Sequence, residues 1–278
     1  MRSRNSKITR TIVSALMSLL FLAAASPAAT KPISAPDGLA LDSKGNLYVT
    51  NYGGNEILIY SPNYQQMKSI TKSIAGPTGI AFDPSGNFYV TNINANTITE
   101  YSPTGAYLSD IADVPTPDAI SIDGVGYMWV QLSDSAIILF SPSLNSDMQI
   151  ANASGLQVNY FLGVATHGSQ WAIGTDQGFE LCPIDYFILT ASTYLNPVAN
   201  LNGNALAFDA VGNLYVGNLD GTVDYYNVTT HASTPFATLT YPKGIVVDNS
   251  RGRVYISDFI SSDVQVYSTN GTLLMTIK

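Results

Sequence analysis

One sequence phrase recurs along the chain at a near-constant spacing, and this recurrence limits the possible folds more than any other feature. Three copies have the same length and nearly the same letters: APDGLALDSKGNLYVTN at 35–51, GPTGIAFDPSGNFYVTN at 76–92 and NGNALAFDAVGNLYVGN at 202–218. With two weaker copies included, the steps between the shared aspartates are 41, 40, 86 and 39 residues, for Asp42, Asp83, Asp123, Asp209 and Asp248. The long step equals two periods, so a sixth, degraded copy is expected between the third and fifth. A period near 40 residues built from short strands predicts an all-β, six-bladed β-propeller with four antiparallel strands in each blade.

Each copy is typical of two strands joined by a tight turn. In Leu39-Ala40-Leu41 the side chains alternate between the two faces of a strand, and both faces are apolar. This pattern favours a sheet that is covered on both sides by neighbouring sheets. The segment from Asp83 to Gly86 predicts a hairpin turn, because the aspartate accepts backbone N–H groups and the glycine adopts a positive φ.

The fourth copy, at 163–175, is the most divergent. There, His167 takes the place of the turn aspartate and Trp171 that of the strand tyrosine. The weak match and the following segment, 184–201, predict altered loops in blade four, and differences in function usually lie in loops on a constant scaffold. Two ways of closing the ring remain open, because residues 273–278 can form the outer strand of blade six or residues 31–34 can add a strand there.

The pattern P-x-G-[LI]-A-[LF]-D-x-x-G-N-[LF]-Y-V-T-N resembles the NHL-repeat family of β-propellers, and the resemblance covers residues 35–278. This resemblance implies the propeller fold. It leaves the function open, because that family and its neighbours include adhesion and sensor domains, RNA-binding domains, lyases and lactonases.

The N-terminal residues predict export. Four basic residues precede an apolar run from 12 to 22 that ends in AAASPAA, which is the build of a signal peptide cleaved after Ala25. The predicted organisation is therefore a signal peptide at 1–25 and a propeller at 26–278, secreted or periplasmic, with no membrane span after cleavage. The mature chain has 8 basic and 20 acidic residues, a net charge of −12. This charge argues against a nucleic-acid partner.

The composition also limits covalent and metal chemistry. Cys182 is the only cysteine, so an intramolecular disulfide and a site made of several thiolates are both excluded. No motif of a serine hydrolase, a phosphate-binding loop or a zinc protease is present.

Candidate site residues are expected where the inner strands begin, because propellers commonly bind ligands at that end of the central channel. The position before each inner-strand glycine, or its substitute, predicts a channel ring of Asp37, Thr78, Asp118, Leu162, Asn204 and Lys243. Asp37, Asp118 and Asn204 offer oxygen atoms that suit Ca²⁺, which makes Ca²⁺ the candidate cofactor. Lys243 opposes a cation, and the expected closure places it beside Asp37 as an ion-pair partner. The sequence therefore favours a solvated polar rim with one ion pair over a ligand site at these positions.

Two enzyme classes with this fold can be compared with the ring. Resemblance to gluconolactonase-like propellers implies a divalent ion held by Glu, Asn and Asp, but this ring has no Glu. Lyase-like relatives imply channel-facing His and Arg, whereas the available residues fall at turns or strand edges and are expected to be structural: His167, His231, Arg251 and Arg253. A second recurrent set, after the second strands, is expected to cap the following turns and not to form a site: Asn51, Asn92, Gln131, Thr175, Asn218 and Asp258.

The sequence favours a monomeric binding or scaffold module. Its expected ligand is a protein, a cell-envelope component or a small molecule at one propeller face. The alternative is a metal-dependent hydrolase of the lactonase type that uses Asp37, Asp118 and Asn204. A third alternative is a structural or sensing module without a single site.

Overall fold

The protein is described here from a computed structural model that covers residues 30–111, 113–133, 136–143, 147–152, 161–176, 178–184 and 201–278. These residues form six antiparallel sheets, and they contain no helix. The six-bladed, all-β propeller is therefore confirmed. The predicted signal peptide at 1–25 lies outside the described residues, as does nearly all of the divergent segment 184–201. Nothing in the described ranges is a helix long and apolar enough to span a bilayer.

The strands of the first three blades follow chain order from the inner to the outer edge. Blade one contains β1 (Pro36–Leu41), β2 (Leu47–Asn51), β3 (Glu56–Tyr60) and β4 (Gln66–Ile70). Blade two contains β5 (Pro77–Phe82), β6 (Phe88–Asn92), β7 (Thr97–Tyr101) and β8 (Tyr107–Ile111). Blade three contains β9 (Pro117–Ile122), β10 (Met128–Leu132), β11 (Ala136–Phe140) and β12 (Asp147–Asn152).

The remaining blades have the same order, with three strands described in blade four. Blade four contains β13 (Phe161–His167), β14 (Gln170–Thr175) and β15 (Gly178–Pro183). Blade five contains β16 (Ala205–Phe208), β17 (Leu214–Gly217), β18 (Thr222–Asn227) and β19 (Ala232–Thr238). Blade six contains β20 (Pro242–Asp248), β21 (Arg253–Asp258), β22 (Asp263–Ser268) and β23 (Leu273–Ile277).

The ring closes by side-chain packing between blades six and one. The inner strands contact one another in chain order, and β20 contacts β1. Of the two closures that the sequence left open, the structure uses the first, because β23 is the outer strand of blade six. Residues 31–34 add no strand, but Ile33 is buried in the same cluster as Leu39 and Ile277.

The apolar side chains that alternate along the inner strands are buried on both faces of the strand, as the sequence predicts. Leu39 packs in a cluster with Tyr255 of blade six, whereas Ala40 packs in a cluster with Ile80 and Val90 of blade two. Each inner strand of this kind is therefore buried on both faces, since each face meets a different neighbouring blade.

The predicted hairpin turns are also present. Asp42 Oδ1 accepts hydrogen bonds from the backbone N–H groups of Lys44 at 2.9 Å and Asn46 at 2.8 Å, and Gly45 has a φ of 81°. Asp83 Oδ1 makes the equivalent bonds to the N–H groups of Ser85 and Asn87. The recurring aspartates therefore have a structural function at the opposite end of the inner strands from the channel ring.

One alignment within blade four is wrong. Ala172, not Trp171, lies opposite Ala165, as Tyr48 lies opposite Ala40 in blade one. The turn after His167 is one residue shorter than the turn after Asp42, so Trp171 occupies the position of Leu47. Trp171 instead stacks on Trp129 of blade three, with ring centroids 4.8 Å apart.

Candidate functional site

The predicted ring positions lie at irregularities in the pairing of the inner strands. The register of β1 with β2 shifts between Pro36 and Leu39, so Asp37 and Gly38 share one partner position. Equivalent shifts occur at the start of β5, β9, β13 and β20. Such a bulge redirects a side chain out of the regular sheet. The bulge therefore explains why the ring residue, and not its neighbours in the strand, is directed towards the channel.

Lys243 connects opposite sides of this ring. Its Nζ lies 3.6 Å from Oδ2 of Asp118, and both side chains are mostly buried. Because blade six faces blade three in a six-bladed ring, the lysine side chain spans the channel mouth. The ion pair in direct contact is therefore with Asp118, and the expected direct pair with Asp37 of the adjacent blade is not the one formed.

Asp37 still contributes to the environment of Lys243. The negative charge of Asp37, the largest cause, raises the pKa of Lys243, and Asp118 adds to the effect against the opposing influence of burial. The distance identifies Asp118 as the contact, whereas the electrostatics give the greater weight to Asp37. Lys243 therefore contacts Asp118 directly and also interacts with the charge of Asp37 across a distance longer than an ion-pair contact.

Asp37 is the most unusual group of the site. It is only 6% exposed, and its carboxylate accepts no hydrogen bond from the described residues. Burial raises its pKa from 3.8 to about 6, with Lys243 lowering it and Asp118 raising it further. Asp37 lines the channel cavity, so a hydrogen-bond donor for its carboxylate would have to lie in that cavity.

Thr78 and Asn204 are used in contacts between blades. The Thr78 hydroxyl lies 3.1 Å from the carbonyl oxygen of Pro117 and 3.2 Å from that of Asp118. The Asn204 side chain donates from Nδ2 to the carbonyl oxygen of Pro242 at 2.6 Å. Thr78 is therefore a structural residue, while the other side of the Asn204 amide remains beside the cavity.

A set of hydroxyl groups that the sequence reasoning missed fixes the ring. The Gly244 N–H donates to Ser257 Oγ at 2.8 Å, and that hydroxyl donates to the carbonyl oxygen of Asp37 at 2.6 Å. Thr91 links the Gly79 N–H to the carbonyl oxygen of Asp118 in the same way. Each hydroxyl thus ties an inner strand to the ring residue of the next blade.

Thr50 makes the same link from Gly38 to Thr78. The recurrence of Thr or Ser at this position, in YVT, YVT and YIS, is the sequence signal that could have revealed these links.

The cavity at the channel mouth is small and has two layers. Its volume is about 70 Å³, and Asp37, Asn204 and Lys243 line its polar part. Each inner strand contributes one small residue and one larger aliphatic residue to the rest of the lining. The small residues are Gly38, Gly79, Ala119, Gly163, Ala205 and Gly244, and the larger ones form a collar: Leu39, Ile80, Ile120, Val164, Leu206 and Ile245. The ring therefore presents charge above an aliphatic floor. Three of the six predicted ring residues do not line this cavity: Thr78, Asp118 and Leu162.

The His and Arg residues among the described residues make contacts away from this cavity. Arg251 binds Asp248 Oδ2 at 3.0 Å and the carbonyl oxygen of Lys44, and Arg253 binds the carbonyl oxygen of Pro62. The ring of His167 contacts that of Phe208, and Nδ1 of His231 lies 2.9 Å from the Tyr226 hydroxyl. None of these four lines the cavity.

The second recurrent set is structural, but its contacts differ from those expected. The side chains of Asn51, Asn92 and Asn218 accept hydrogen bonds from the backbone before the inner strand, at the N–H groups of Ser34, Ala75 and Asn202. Asp258 does the same for Thr240 and Tyr241, and it alone of these four also accepts from the following turn, at Ser261.

The candidate metal set can be compared with this geometry. Among the described residues, no group of three or more His, Cys, Asp or Glu side chains is arranged to hold a metal ion. Asp37 and Asn204 line the channel cavity together with Lys243, whereas Asp118 is not part of the lining and contacts the Nζ atom of Lys243. A Ca²⁺ ion bound there would have to compete with the ammonium group for Asp118.

Solved structures with similar folds include several enzymes. A putative gluconolactonase superimposes with a TM-score of 0.69 at 13% identity, covering 86% of this chain and 90% of that one. A gluconolactonase from Xanthomonas campestris gives 0.66 at 12% identity, with coverages of 82% and 84%. Virginiamycin B lyase from Staphylococcus aureus gives 0.61 at 12% identity, with coverages of 86% and 83%. Neither the models of known protein families nor the curated protein sequences give a match. At these identities the similarity establishes the β-propeller fold, which these lactonases and lyases share.

Proposed function

We propose that this protein is an exported, NHL-type propeller that binds a small polar ligand at its channel mouth, with Asp37 as the principal recognition group. The observation that carries the proposal is the Asp37 carboxylate, which is buried beside a cavity and lacks a hydrogen-bond donor among the described residues. A ligand that supplies the donor would satisfy a group that is otherwise costly to bury.

The size and charge of the site favour a small molecule over a macromolecule. A cavity of about 70 Å³ accommodates the head group of a ligand and not a folded surface. Lys243 and Asn204 provide additional polar contacts on the same rim. A protein or cell-envelope partner remains compatible with the site where it presents one small group to the channel.

The cellular setting follows from the sequence. The predicted signal peptide supports secretion or a periplasmic location, and the net charge of −12 after its removal supports a partner other than nucleic acid. We propose that the propeller acts as a monomer, because the inner strands of its blades already pack against neighbouring blades within one ring.

A screen of small polar compounds tests the proposal. We expect hits in a thermal-shift screen of amines, amino acids, carboxylates and sugars, with binding weakened at least tenfold by Asp37→Asn. The matched control is Asp113→Asn, which removes the same charge from an exposed position and should leave binding unchanged. Hits that bind the wild-type protein and both variants equally would contradict the proposal.

The second candidate function is an enzyme of the lactonase type. The observation that favours it is the set of oxygen atoms at the channel mouth, where Asp37 and Asn204 line the cavity and Asp118 lies 3.6 Å from Lys243 Nζ, since carboxylate and amide oxygens are ligands that Ca²⁺ accepts. In that case Asp37, Asp118 and Asn204 would hold the divalent ion, whose role would be to polarise the substrate carbonyl.

A melting experiment separates this candidate from simple ligand binding. The enzyme candidate predicts that excess Ca²⁺ raises the melting temperature relative to EDTA, because an ion bound only to the folded state stabilises it by mass action. Asp118→Ala should abolish that shift, and Asp113→Ala should preserve it. An unchanged melting temperature would remove the Ca²⁺-dependent form of the candidate and leave the binding proposal intact.

A further inference from the structure

The charges of the channel mouth are unbalanced by one. Asp37 and Asp118 bring two carboxylates, and Lys243 brings one ammonium group. Lys243 is in direct contact with Asp118, on the opposite side of the channel. The carboxylate without a direct partner is therefore Asp37, which is also the more buried of the two.

An anionic ligand is poorly suited to this arrangement. It would have to separate Lys243 from Asp118 and then lie beside the Asp37 carboxylate, which is fixed at its backbone by Ser257. The first step breaks an ion pair and the second brings two negative charges together. Both steps oppose binding, because charges interact more strongly in a partly dehydrated site than in water.

A divalent metal ion is also less well matched than a monovalent cation. Two carboxylates and one ammonium group leave one uncompensated negative charge, which a monovalent cation balances and a divalent ion exceeds. Of the Asn204 amide, the NH₂ group already donates to Pro242, and the cavity floor consists of aliphatic side chains. Hard cations such as Ca²⁺ require six to eight oxygen ligands, and an aliphatic floor supplies none.

The aliphatic collar indicates what should be attached to the cation. Six residues of similar size, including Leu39, Ile120 and Leu206, surround the space below Asp37. Their hydrocarbon surfaces would be covered by a short alkyl chain that extends from the charged group into the channel. A volume of about 70 Å³ limits that chain to a few carbon atoms.

We infer that the channel mouth binds a protonated primary amine that carries a short aliphatic chain, with the ammonium group donating to Asp37 and the chain lying against the collar. This inference rests on the proposed function, since it names the ligand class of the same site. The ammonium group supplies the missing positive charge and up to three hydrogen-bond donors, while Lys243 keeps its contact with Asp118.

A matched series of probes tests the inference by titration calorimetry. Ethylammonium, n-propylammonium and n-butylammonium differ only in chain length, while n-butanol and butyrate keep the butyl or propyl chain and change the charge. We expect the ammonium probes alone to bind, with an affinity that increases about fourfold for each methylene group until the cavity is filled. Asp37→Asn should weaken n-butylammonium binding at least tenfold, and Asp113→Asn should not.

A collar variant provides an independent readout. Ile120→Ala enlarges the floor of the cavity, so it should shift the preferred chain towards longer amines without removing the dependence on Asp37. Circular dichroism of each variant establishes that the fold is intact before binding is compared.

The alternative outcomes separate this inference from the proposed function. Binding of butyrate that is lost in Lys243→Met would overturn the amine inference but keep a ligand site at the channel mouth. Binding of Ca²⁺ in preference to n-butylammonium would do the same. Compounds that bind without any dependence on Asp37 or Lys243 would overturn both.

Discussion

Replacing Gly244 with alanine is expected to lower the free energy of unfolding by about 3 kcal/mol, the upper part of the usual range for overpacking. A Cβ atom at this position would lie 2.3 Å from the carbonyl oxygen of Asp37 and 3.1 Å from the backbone nitrogen of Leu39. Both neighbours are backbone atoms of blade one. The contact therefore cannot be relieved by rotation of a side chain, and blades six and one must separate.

This close approach is also what forms the candidate site. Gly244 donates its N–H to Ser257, whose hydroxyl holds the carbonyl oxygen of Asp37. Separation of the two blades should therefore displace Asp37 from Lys243, the residue that precedes Gly244. We expect Gly244→Ala to weaken ligand binding as well as stability.

Gly124→Ala provides the matched control for chemical denaturation. Gly124 lies in the exposed turn of blade three, where a Cβ atom would have no neighbour within 4 Å. Its replacement should change the unfolding free energy by no more than about 0.5 kcal/mol, the usual range for surface substitutions. Equal stability of the two alanine variants would show that the blades tolerate a wider spacing than the structure has.

Gly38 and Gly79 show why the repeat was informative about the fold. A Cβ atom on Gly38 would lie 2.5 Å from the carbonyl oxygen of Thr78, and one on Gly79 would lie 2.6 Å from that of Asp118. The glycine of the phrase is thus required by contact with the next blade. A requirement repeated in successive blades leaves a periodic signal, so the propeller and its turns could be predicted from the sequence, whereas only Asp37, Asn204 and Lys243 of the six predicted ring residues line the channel cavity.

The features that the sequence did not predict depend on contacts between distant copies. The contact of Lys243 with Asp118 crosses the channel between the sixth and third copies, and alignment of neighbouring copies favoured Asp37 instead. Alignment of the copies places Trp171 one position away from its true register. The turn after His167 is one residue shorter than the turn after Asp42, and only the pairing of the strands reveals this difference. The burial of Asp37 is likewise a property of the closed ring.

Asp37→Asn is expected to raise the free energy of unfolding by about 2 kcal/mol at pH 8 and to leave it nearly unchanged below pH 4. Burial, the largest cause, raises the pKa of Asp37 from 3.8 to about 6, so the folded state disfavours the ionised carboxylate. A shift of about two units corresponds to about 3 kcal/mol. We expect somewhat less, because Asn removes one of the two negative charges that stabilise Lys243.

The sign of the pH dependence follows from proton binding. Between pH 3.8 and about 6 the folded protein holds a proton on Asp37 that the unfolded chain has released. The contribution of this residue to stability therefore decreases as the pH rises through that interval and becomes constant above it. Asparagine does not titrate, so the difference between the two proteins should grow over the same interval.

Denaturation of both proteins at several pH values between 3.5 and 8 measures this difference, with Asp113→Asn as the control for loss of an exposed charge. A variant that is more stable yet has lost ligand binding would identify Asp37 as a residue retained for function at the expense of stability, as binding groups commonly are. A variant that is less stable at pH 8 would mean that Lys243 stabilises the Asp37 charge more than burial opposes it. In that case the carboxylate already has its partner within the protein, and the positive charge assigned to the ligand would not be needed.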